Sequence, residues 1–174
     1  MPVSHRQITI ATWNAQGIKN KKHELENFLN DHEVDIMLLT ETFLKYNINF
    51  FVNGYYCYRK DRENQSKGGI GILIKRQLVH SVISDLNLKS IDCIGITLKL
   101  SRNAEIKIFC CYCPNSSHPN FPADISKLTR QNTPYILGGD LNCKHQKWVI
   151  PKPVHYFHLI TRYNFNGLFP VTIT

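Results

Sequence analysis

The sequence predicts a mixed α/β or α+β fold with at least seven strands and two helices. Short apolar or alternating segments, which are typical of strands, are interrupted by two segments with helical periodicity. With 174 residues, of which 43% are hydrophobic, the chain can bury an ordinary core within one domain. The same hydrophobic fraction, with only 20% charged residues, argues against a disordered chain, and the sequence has no internal repeat or low-complexity tract.

The first part of the chain predicts a strand, a helix and a second strand. Residues 7–13 (QITIATW) alternate and are rich in β-branched residues, which favours a strand. Residues 21–31 (KKHELENFLND) place apolar residues at helical spacing, which predicts a short amphipathic helix. Residues 35–40 (DIMLLT) form an apolar run that is too short for a buried helix, so we expect a central strand there.

The middle of the chain continues with further strands and one helix. β-branched and aromatic residues dominate these segments, as in strands of known proteins. The predicted strands are 55–60, 69–75, 91–98, 105–112 and 135–139, and the predicted helix lies near 122–131.

From about residue 148 the pattern deteriorates. Two prolines occur within three residues, aromatic residues are scattered and no helical period remains. Only the final segment FPVTIT, residues 169–174, predicts a strand. We therefore expect a domain over residues 1–148 and an atypical tail over 149–174 that ends in a candidate final strand of the domain.

The charge is basic and unevenly spread. Lys and Arg number 21 against 13 Asp and Glu, which gives a net charge of +8. Half of this excess lies after residue 142, where four basic residues occur and no acid does. A basic surface suits a polyanion such as nucleic acid, although solubility alone is an alternative explanation. No apolar run approaches a membrane span and no secretory signal is evident, so we expect an intracellular protein with no membrane partner.

The six cysteines are expected to be free thiols. A reducing compartment disfavours disulfides. Cys110, Cys111 and Cys113 sit in the strand-like segment IKIFCCYCP and lack the paired spacing of a zinc site. We therefore predict core thiols in preference to metal ligands.

Polar residues stand at the carboxyl ends of three apolar segments. These are Asn14 after TW, Glu41 after IMLLT, and Asp140 with Asn142 in YILGGDLN. Ligands gather at strand ends, where a side chain leaves the core while its backbone stays rigid. Glu41 and Asp140 could supply the carboxylates of a Mg²⁺ site. The alternative is that each of these residues simply forms a strand-end turn.

Five segments, in their order and separation, resemble the endonuclease/exonuclease/phosphatase superfamily. They are ITIATWNAQGI, DIMLLTETFL, YRKDRENQSKGGIGILIK, IKIFCCYCPNSS and TPYILGGDLNCKHQKW. More narrowly, DR-x-x-x-x-K-GG-I-G and GGDLN-x-K-H-x-x-W resemble the apurinic-type endonuclease domain of non-LTR, jockey-like retrotransposons. The resemblance covers about residues 6–148. It implies a four-layer α-β-β-α sandwich with two mixed sheets, and metal-dependent hydrolysis of phosphodiester bonds in DNA.

The resemblance also implies roles for individual side chains. Glu41 matches a metal-binding glutamate, and Asn14 matches the asparagine that helps to order the metal site, which would hold Mg²⁺ or Mn²⁺. Tyr112 matches the tyrosine of a Tyr-x-Pro motif that contacts the scissile phosphate. Asp140 matches the aspartate that orients or deprotonates the attacking water, and Asn142 matches its partner.

Basic residues near these motifs are candidates for DNA contact. They could follow the DNA backbone, although a charged loop is as often only solvated. His145 and Trp148 match positions typical of the retrotransposon branch, with less defined roles. The candidate DNA-contacting residues are Arg59, Lys60, Arg62, Lys67 and His145.

The second half of the family pattern is incomplete in these residues. The resemblance implies a late Ser-Asp-His segment before a final strand, but no Asp or Glu follows Asp140. If FPVTIT is that strand, Gly167 and Leu168 stand where Asp and His are expected. His155 and His158 lie nearby without the motif, and we expect them to be core or surface residues.

Three functions follow from these observations. The first is a retrotransposon-derived, Mg²⁺-dependent endonuclease that nicks DNA, is nuclear when it does so, and is weakened or inactive in this shortened form. The second is a catalytically dead nucleic-acid-binding remnant. The third, a phospholipid or inositol phosphate phosphodiesterase or phosphatase of the same superfamily, is disfavoured by the GGDLN-x-K-H-x-x-W stretch.

Overall fold

The fold is taken from a computed structural model of the chain. The structure describes residues 7–62, 67–84, 86–101 and 103–142, together with the backbone of 158–163. Nine strands and two α-helices lie in this part of the chain.

The first sheet has five strands in the order β3-β4-β2-β1-β9. β1 pairs in parallel with β2, and the other neighbours are antiparallel, so the sheet is mixed. β2 is buried along its whole length, in agreement with its continuous apolar sequence. The strands are β1 Ile8–Asn14, β2 Ile36–Thr40, β3 Tyr55–Lys60, β4 Ile70–Lys75 and β9 His158–Tyr163.

The second sheet has four strands in the order β5-β6-β7-β8. Its last pair, β7 with β8, is parallel, and its other pairs are antiparallel. Its strands are β5 His80–Ile83, β6 Asp92–Ser101, β7 Ala104–Tyr112 and β8 Tyr135–Asp140.

The two sheets pack face to face, with one helix on each outer face. The inner core joins branched side chains of both sheets, including Ile36 and Ile72 from the first and Ile96 and Ile108 from the second. Helix α1, Lys22–Asp31, buries Leu25 and Leu29 against the outer face of the first sheet. Helix α2, Phe121–Thr129, packs on the outer face of the second sheet through Leu128. The predicted four-layer α-β-β-α sandwich with two mixed sheets is confirmed.

The predicted elements agree closely with the observed ones, with two exceptions. All eight predicted strand and helix segments between residues 21 and 139, and the first strand, occur with small shifts of their ends. β5 was not predicted. β9 was not predicted either. The sequence predicts FPVTIT as the only strand of the tail, and residues 158–163 contradict this prediction because they form a strand. FPVTIT itself, with Gly167 and Leu168, lies outside the described residues.

The structure also tests the prediction of buried thiols and the prediction that the chain has no membrane span. Cys110, Cys111 and Cys113 are buried free thiols, as predicted for core positions, whereas Cys143 lies outside the described residues. Burial raises the pKa of Cys113, which keeps this thiol protonated at neutral pH. In the described part of the chain, neither helix is long and apolar enough to cross a bilayer.

Candidate active site

The functional strands of the two sheets end at a shared edge. In the first sheet β1, β2 and β3 run in one direction, because β4 is antiparallel to both of its neighbours. In the second sheet β7 and β8 are parallel to each other. Their carboxyl ends are joined across the sandwich by the two side-chain contacts described next, which gather Asn14, Glu41, Tyr112 and Asp140 into one place, called here the strand-end site.

The first contact joins β1 to β8. The Asn14 Nδ2 group donates a hydrogen bond of 3.2 Å to Asp140 Oδ2, although the two residues are 126 positions apart in the sequence. The backbone N–H of Asn142 donates to the other oxygen, Asp140 Oδ1, at 2.9 Å. Donors therefore fix both oxygens of this carboxylate, which is half-buried and hence still reachable by water.

The second contact joins β2 to β7. The Tyr112 hydroxyl donates to Glu41 Oε1 at 3.3 Å. Burial, followed by the nearby Glu41 carboxylate, raises the pKa of Tyr112, so its hydroxyl remains a donor at neutral pH. Glu41 adopts a φ of 51°, in the left-handed region that side chains other than Gly and Asn rarely occupy. Such backbone strain is concentrated at functional sites.

The two glycines before Asp140 let β8 lie close to its neighbours. Gly139 has a φ of 115°, and a Cβ there would lie 2.1 Å from the carbonyl oxygen of Cys111 on β7. A Cβ on Gly138 would lie 2.6 Å from Leu38 Cδ1 on the first sheet. The Gly-Gly-Asp order therefore serves to place Asp140 where the two sheets meet.

Asn142 is held by the loop that follows β7. Its side chain donates to the carbonyl oxygen of Cys113 at 2.9 Å, and its carbonyl oxygen accepts from Ser116 Oγ at 3.0 Å. Its φ of 49° is the left-handed conformation that asparagine tolerates well. Asn142 thus presents its backbone N–H to Asp140, while its side-chain amide closes the loop.

The basic candidates separate into different environments. Lys60 Nζ lies 3.4 Å from Asp92 Oδ1, and Arg62 Nη2 lies 2.6 Å from Asp92 Oδ2. The Arg62 guanidinium also lies over the Tyr112 ring, 5.2 Å from its centroid, so these cations border the strand-end site. Arg59 pairs with Asp61 at 3.1 Å.

The other basic candidates have weaker links to the site. Arg59 also donates to the carbonyl oxygens of Lys45 and Tyr46, so it braces the loop after β2. Lys67 is exposed just before the Gly-Gly pair that precedes β4. His145 and Trp148 lie outside the described residues.

The oxygen atoms of the strand-end site suit a hard divalent cation. Asn14 Oδ1 is buried and has no hydrogen-bond partner in the described part of the chain, and the half-buried Glu41 supplies a carboxylate. Across residues 7–62, 67–84, 86–101 and 103–142 there is no cluster of three or more His, Cys, Asp or Glu side chains. A site with one or two protein oxygen ligands, completed by water and substrate phosphate oxygens, is the type that Mg²⁺ commonly uses.

Asp92 is a site residue that sequence reasoning missed. It opens β6 and pairs in register with Tyr112, which places its carboxylate beside the strand-end site. Its only sequence signal is an acid that follows apolar Ile91, and this signal resembles an ordinary strand start. The two cations that contact it come from 30 or more positions earlier in the chain, so their contact depends on the fold.

Comparison with known proteins gives a consistent result. The sequence model of the Endonuclease/Exonuclease/phosphatase family matches residues 11–171. The chain is 29% identical over 146 residues to the RNA-directed DNA polymerase from mobile element jockey of Drosophila melanogaster, which covers 83% of this chain and 16% of that protein. The chain therefore spans about a sixth of the length of that curated relative.

Solved structures show the same fold. The endonuclease domain of TRAS1, a telomere-specific non-LTR retrotransposon, superposes with a TM-score of 0.65 at 19% identity, over 82% of this chain and 64% of that one. The AP endonuclease LMAP from Leishmania major superposes with a TM-score of 0.62 at 18% identity, over 79% of this chain and 56% of that one.

Proposed function

The chain belongs to the Endonuclease/Exonuclease/phosphatase family, and from this premise we propose that it is a retrotransposon-type endonuclease domain that hydrolyses phosphodiester bonds in DNA. The observation that carries the proposal is the pair of cross-sheet contacts, Asn14 with Asp140 and Glu41 with Tyr112, at one strand edge. The similarity to the jockey polymerase and to the TRAS1 endonuclease domain supports DNA as the substrate.

Hydrolysis of a phosphodiester bond needs a water molecule that is activated as the nucleophile. It also needs the phosphate to be held so that the water attacks opposite the leaving oxygen. Asp140 accepts a proton from the water as its oxygen attacks phosphorus. The bond from phosphorus to the leaving sugar oxygen then breaks, and that oxygen takes up a proton from solvent water. Asn14 and Asn142 hold the Asp140 carboxylate in orientation through the two donors described above. The Tyr112 hydroxyl, a donor beside Glu41, is placed to contact a phosphate oxygen.

A divalent cation would be held by Glu41 and by Asn14 Oδ1. Mg²⁺ or Mn²⁺ bound there would offset the negative charge that grows on the phosphate oxygens. The unpartnered, buried Asn14 oxygen supports this assignment, because such an oxygen is costly to bury without a donor or a cation.

A second candidate function is DNA binding with weak or no cleavage. No Asp or Glu follows Asp140 in the 174 residues, so these residues do not supply the late Asp-His pair that the family pattern implies as a group hydrogen-bonded to the phosphate with its orienting carboxylate. Loss of one positioned donor to a developing negative charge typically lowers a rate about 10²-fold to 10³-fold. The net charge of +8 would still support binding to a polyanion.

A plasmid-nicking assay separates these candidates. Supercoiled DNA is incubated with the chain in Mg²⁺ or in EDTA, beside the variants Glu41→Gln and Glu33→Gln. Glu33 is a matched control, because it is exposed and has a similar φ of 50°. We expect Mg²⁺-dependent nicking that Glu41→Gln lowers by about 10² or more and Glu33→Gln leaves unchanged. DNA binding with no nicking by the unaltered chain would favour the second candidate.

A further inference from the structure

Two cysteines face each other across the second sheet. Cys93 of β6 and Cys111 of β7 are register partners in an antiparallel pair of strands. Directly opposed residues of such a pair have Cα atoms about 4.5–5.5 Å apart, and disulfide-bonded cysteines have Cα atoms about 4.4–6.8 Å apart. The backbone of the two strands therefore already meets the main geometric requirement of a disulfide.

The two sulfur atoms are in contact. The Cys111 S–H group donates to Cys93 Sγ at 3.3 Å, and the Cys93 S–H group donates to the carbonyl oxygen of Ile94 at 3.7 Å. Because the S–S bond of a disulfide is about 2.05 Å long, the sulfurs need to approach by little more than about 1 Å. Small rotations of the two side chains supply this movement, and the register of the strands is kept.

The two thiols differ in their access to solvent. Cys93 is partly exposed and lines a cavity of about 280 Å³, which reaches the surface beside Lys60, a side chain that is 53% exposed. Cys111 is fully buried. Its hydrogen bond to Cys93, followed by burial, raises the pKa of Cys111 well above its usual range, so this thiol stays protonated at neutral pH. An oxidant from solvent would therefore meet Cys93 first.

The surroundings hold the pair in place. Both cysteines pack in the cluster between the second sheet and helix α2, to which the helix contributes Leu128. Asp124 of the same helix accepts hydrogen bonds from the backbone N–H groups of Lys89 and Ser90, at 2.8 and 2.6 Å. The loop that leads into β6 is thereby anchored to the helix that covers the pair.

The other described cysteines have different partners. Cys110 belongs to the core between the two sheets and donates to the carbonyl oxygen of Leu39 at 3.3 Å. Cys113 donates to the carbonyl oxygen of Ser90 at 3.4 Å. Cys57 lies on β3 in the first sheet. Within the described part of the chain, the one sulfur-to-sulfur hydrogen bond is that of Cys93 and Cys111.

We propose that Cys93 and Cys111 form a modification site at which hydrogen peroxide produces an intramolecular disulfide. The Cys93 thiolate attacks one peroxide oxygen and the O–O bond breaks, which leaves a sulfenic acid and a hydroxide that takes up the proton lost by Cys93. The Cys111 sulfur then attacks Cys93 Sγ, the S–O bond breaks, and the departing hydroxide takes the Cys111 proton. Two thiols thus lose two electrons and two protons, and the peroxide becomes two water molecules.

This site is independent of DNA cleavage. The disulfide would cross-link β6 to β7 one register position away from Asp92 and Tyr112, and so beside the strand-end site. A thiol reductant reverses it, which makes the modification transient in a reducing compartment.

The test treats the folded, reduced chain with one equivalent of hydrogen peroxide. Thiols counted after denaturation should fall from six to four, the mass should decrease by two hydrogen atoms, and dithiothreitol should restore both values. After digestion with trypsin, the peptides 90–99 and 108–127 should be joined, because they contain Cys93 and Cys111.

Two matched pairs of variants assign the bond. Cys93→Ser and Cys57→Ser each alter a partly exposed cysteine, whereas Cys111→Ala and Cys110→Ala each alter a fully buried cysteine of β7. We expect the disulfide in the unaltered chain, in Cys57→Ser and in Cys110→Ala, and its loss in Cys93→Ser and Cys111→Ala. Because Cys93 is partly exposed, Cys93→Ser should keep the fold, and thermal melting of the reduced variants checks this.

Thermal melting also tests whether the native backbone accommodates the cross-link. The oxidised unaltered chain should melt about 5 °C or more above its reduced form, because the disulfide restricts the unfolded chain, and Cys93→Ser should show no such rise. The inference is overturned if the folded chain keeps all six thiols, if oxidation joins two chains instead, if the linked peptides persist in Cys111→Ala, or if the melting temperature does not rise.

Discussion

At the residue scale, the contact between Tyr112 and Glu41 links a buried donor to a strained acid. The Tyr112 side chain is 8% exposed, and its hydroxyl is oriented by the Glu41 carboxylate. The left-handed backbone of Glu41 costs the fold about 1 kcal/mol or more. The strained backbone of Glu41 thus lies where the proposed cation and phosphate would bind.

We predict that Tyr112→Phe lowers single-turnover cleavage about tenfold or more, because a hydrogen bond to a charged group contributes roughly 1.5–3 kcal/mol. The fold should persist, since the ring still fills its place. Tyr46→Phe is the matched control, because Tyr46 is 82% exposed. The two rates are compared on the same nicked-plasmid assay, and equal rates for the two variants would remove Tyr112 from the mechanism.

Some residues of the site could be predicted from the sequence, and others could not. Asn14, Glu41 and Asp140 could be predicted because each follows an apolar strand, and a polar residue at that point has a chemical reason to be there. Asp92 and Asp124 could not. Their importance depends on partners that are 30 or more positions away and that only the tertiary fold brings near them.

At the element scale, the position of β8 depends on Gly139. The chain has a natural control, because Gly54 also has a positive φ, of 80°, but has no atom within 4 Å of an added Cβ. We predict that Gly54→Ala lowers the free energy of unfolding by about 1 kcal/mol, from backbone strain alone. Gly139→Ala should cost clearly more and also impair cleavage, because its Cβ collides with β7 and displaces Asp140.

Urea denaturation of both variants measures this difference. Equal losses of stability for Gly54→Ala and Gly139→Ala would show that the close approach of β8 to β7 does not position the site.

Helix α2 is joined to the loop before β6 by Asp124. Burial alone would raise the pKa of Asp124, but hydrogen bonds from Ser90 and from the Lys89 backbone outweigh it, and the pKa lies below its ordinary value of 3.8. Because the pKa is lowered in the folded state, these hydrogen bonds stabilise the fold above about pH 4 and are lost as the pH falls through the folded value.

We predict that Asp124→Ala lowers the free energy of unfolding at pH 7 by about 2–3 kcal/mol, since three donors lose a charged acceptor. The difference from the unaltered chain should shrink below about pH 4, as the unaltered chain loses the same contribution. Asp31→Ala, at an exposed position, is the control. A difference that stays constant from pH 7 to pH 3 would contradict this assignment.

Two elements escaped prediction for identifiable physical reasons. β5 has four residues, none of them buried, so it shows no apolar pattern. β9 follows a proline-rich segment, and its strand character depends on antiparallel pairing with β1 about 150 positions earlier. That pairing is irregular between Ile10 and Thr12. Local sequence signals predict elements that are buried by near neighbours better than edge strands fixed by distant ones.

At the scale of the whole molecule, binding to DNA should be mainly electrostatic. The net charge is +8, and no base-reading motif is evident in the sequence. We predict that the affinity falls steeply with salt, with a logarithmic slope of about 0.9 for each phosphate neutralised on duplex DNA. Duplexes of unrelated sequence should bind alike. Titrations between 50 and 200 mM salt measure the slope, and a flat response would rule out this mode of binding.

The edges of the two sheets bring together Asn14, Glu41, Tyr112 and Asp140, which we propose hydrolyse DNA as one site. This assignment is tested by the rate of Mg²⁺-dependent plasmid nicking by Asp140→Asn beside Asp31→Asn, an identical change at an exposed helix end. Loss of the general base should lower the rate by about 10² to 10⁴ in the first variant, with DNA binding retained, and leave the second unchanged. Nicking by Asp140→Asn at the rate of the unaltered chain would contradict the account.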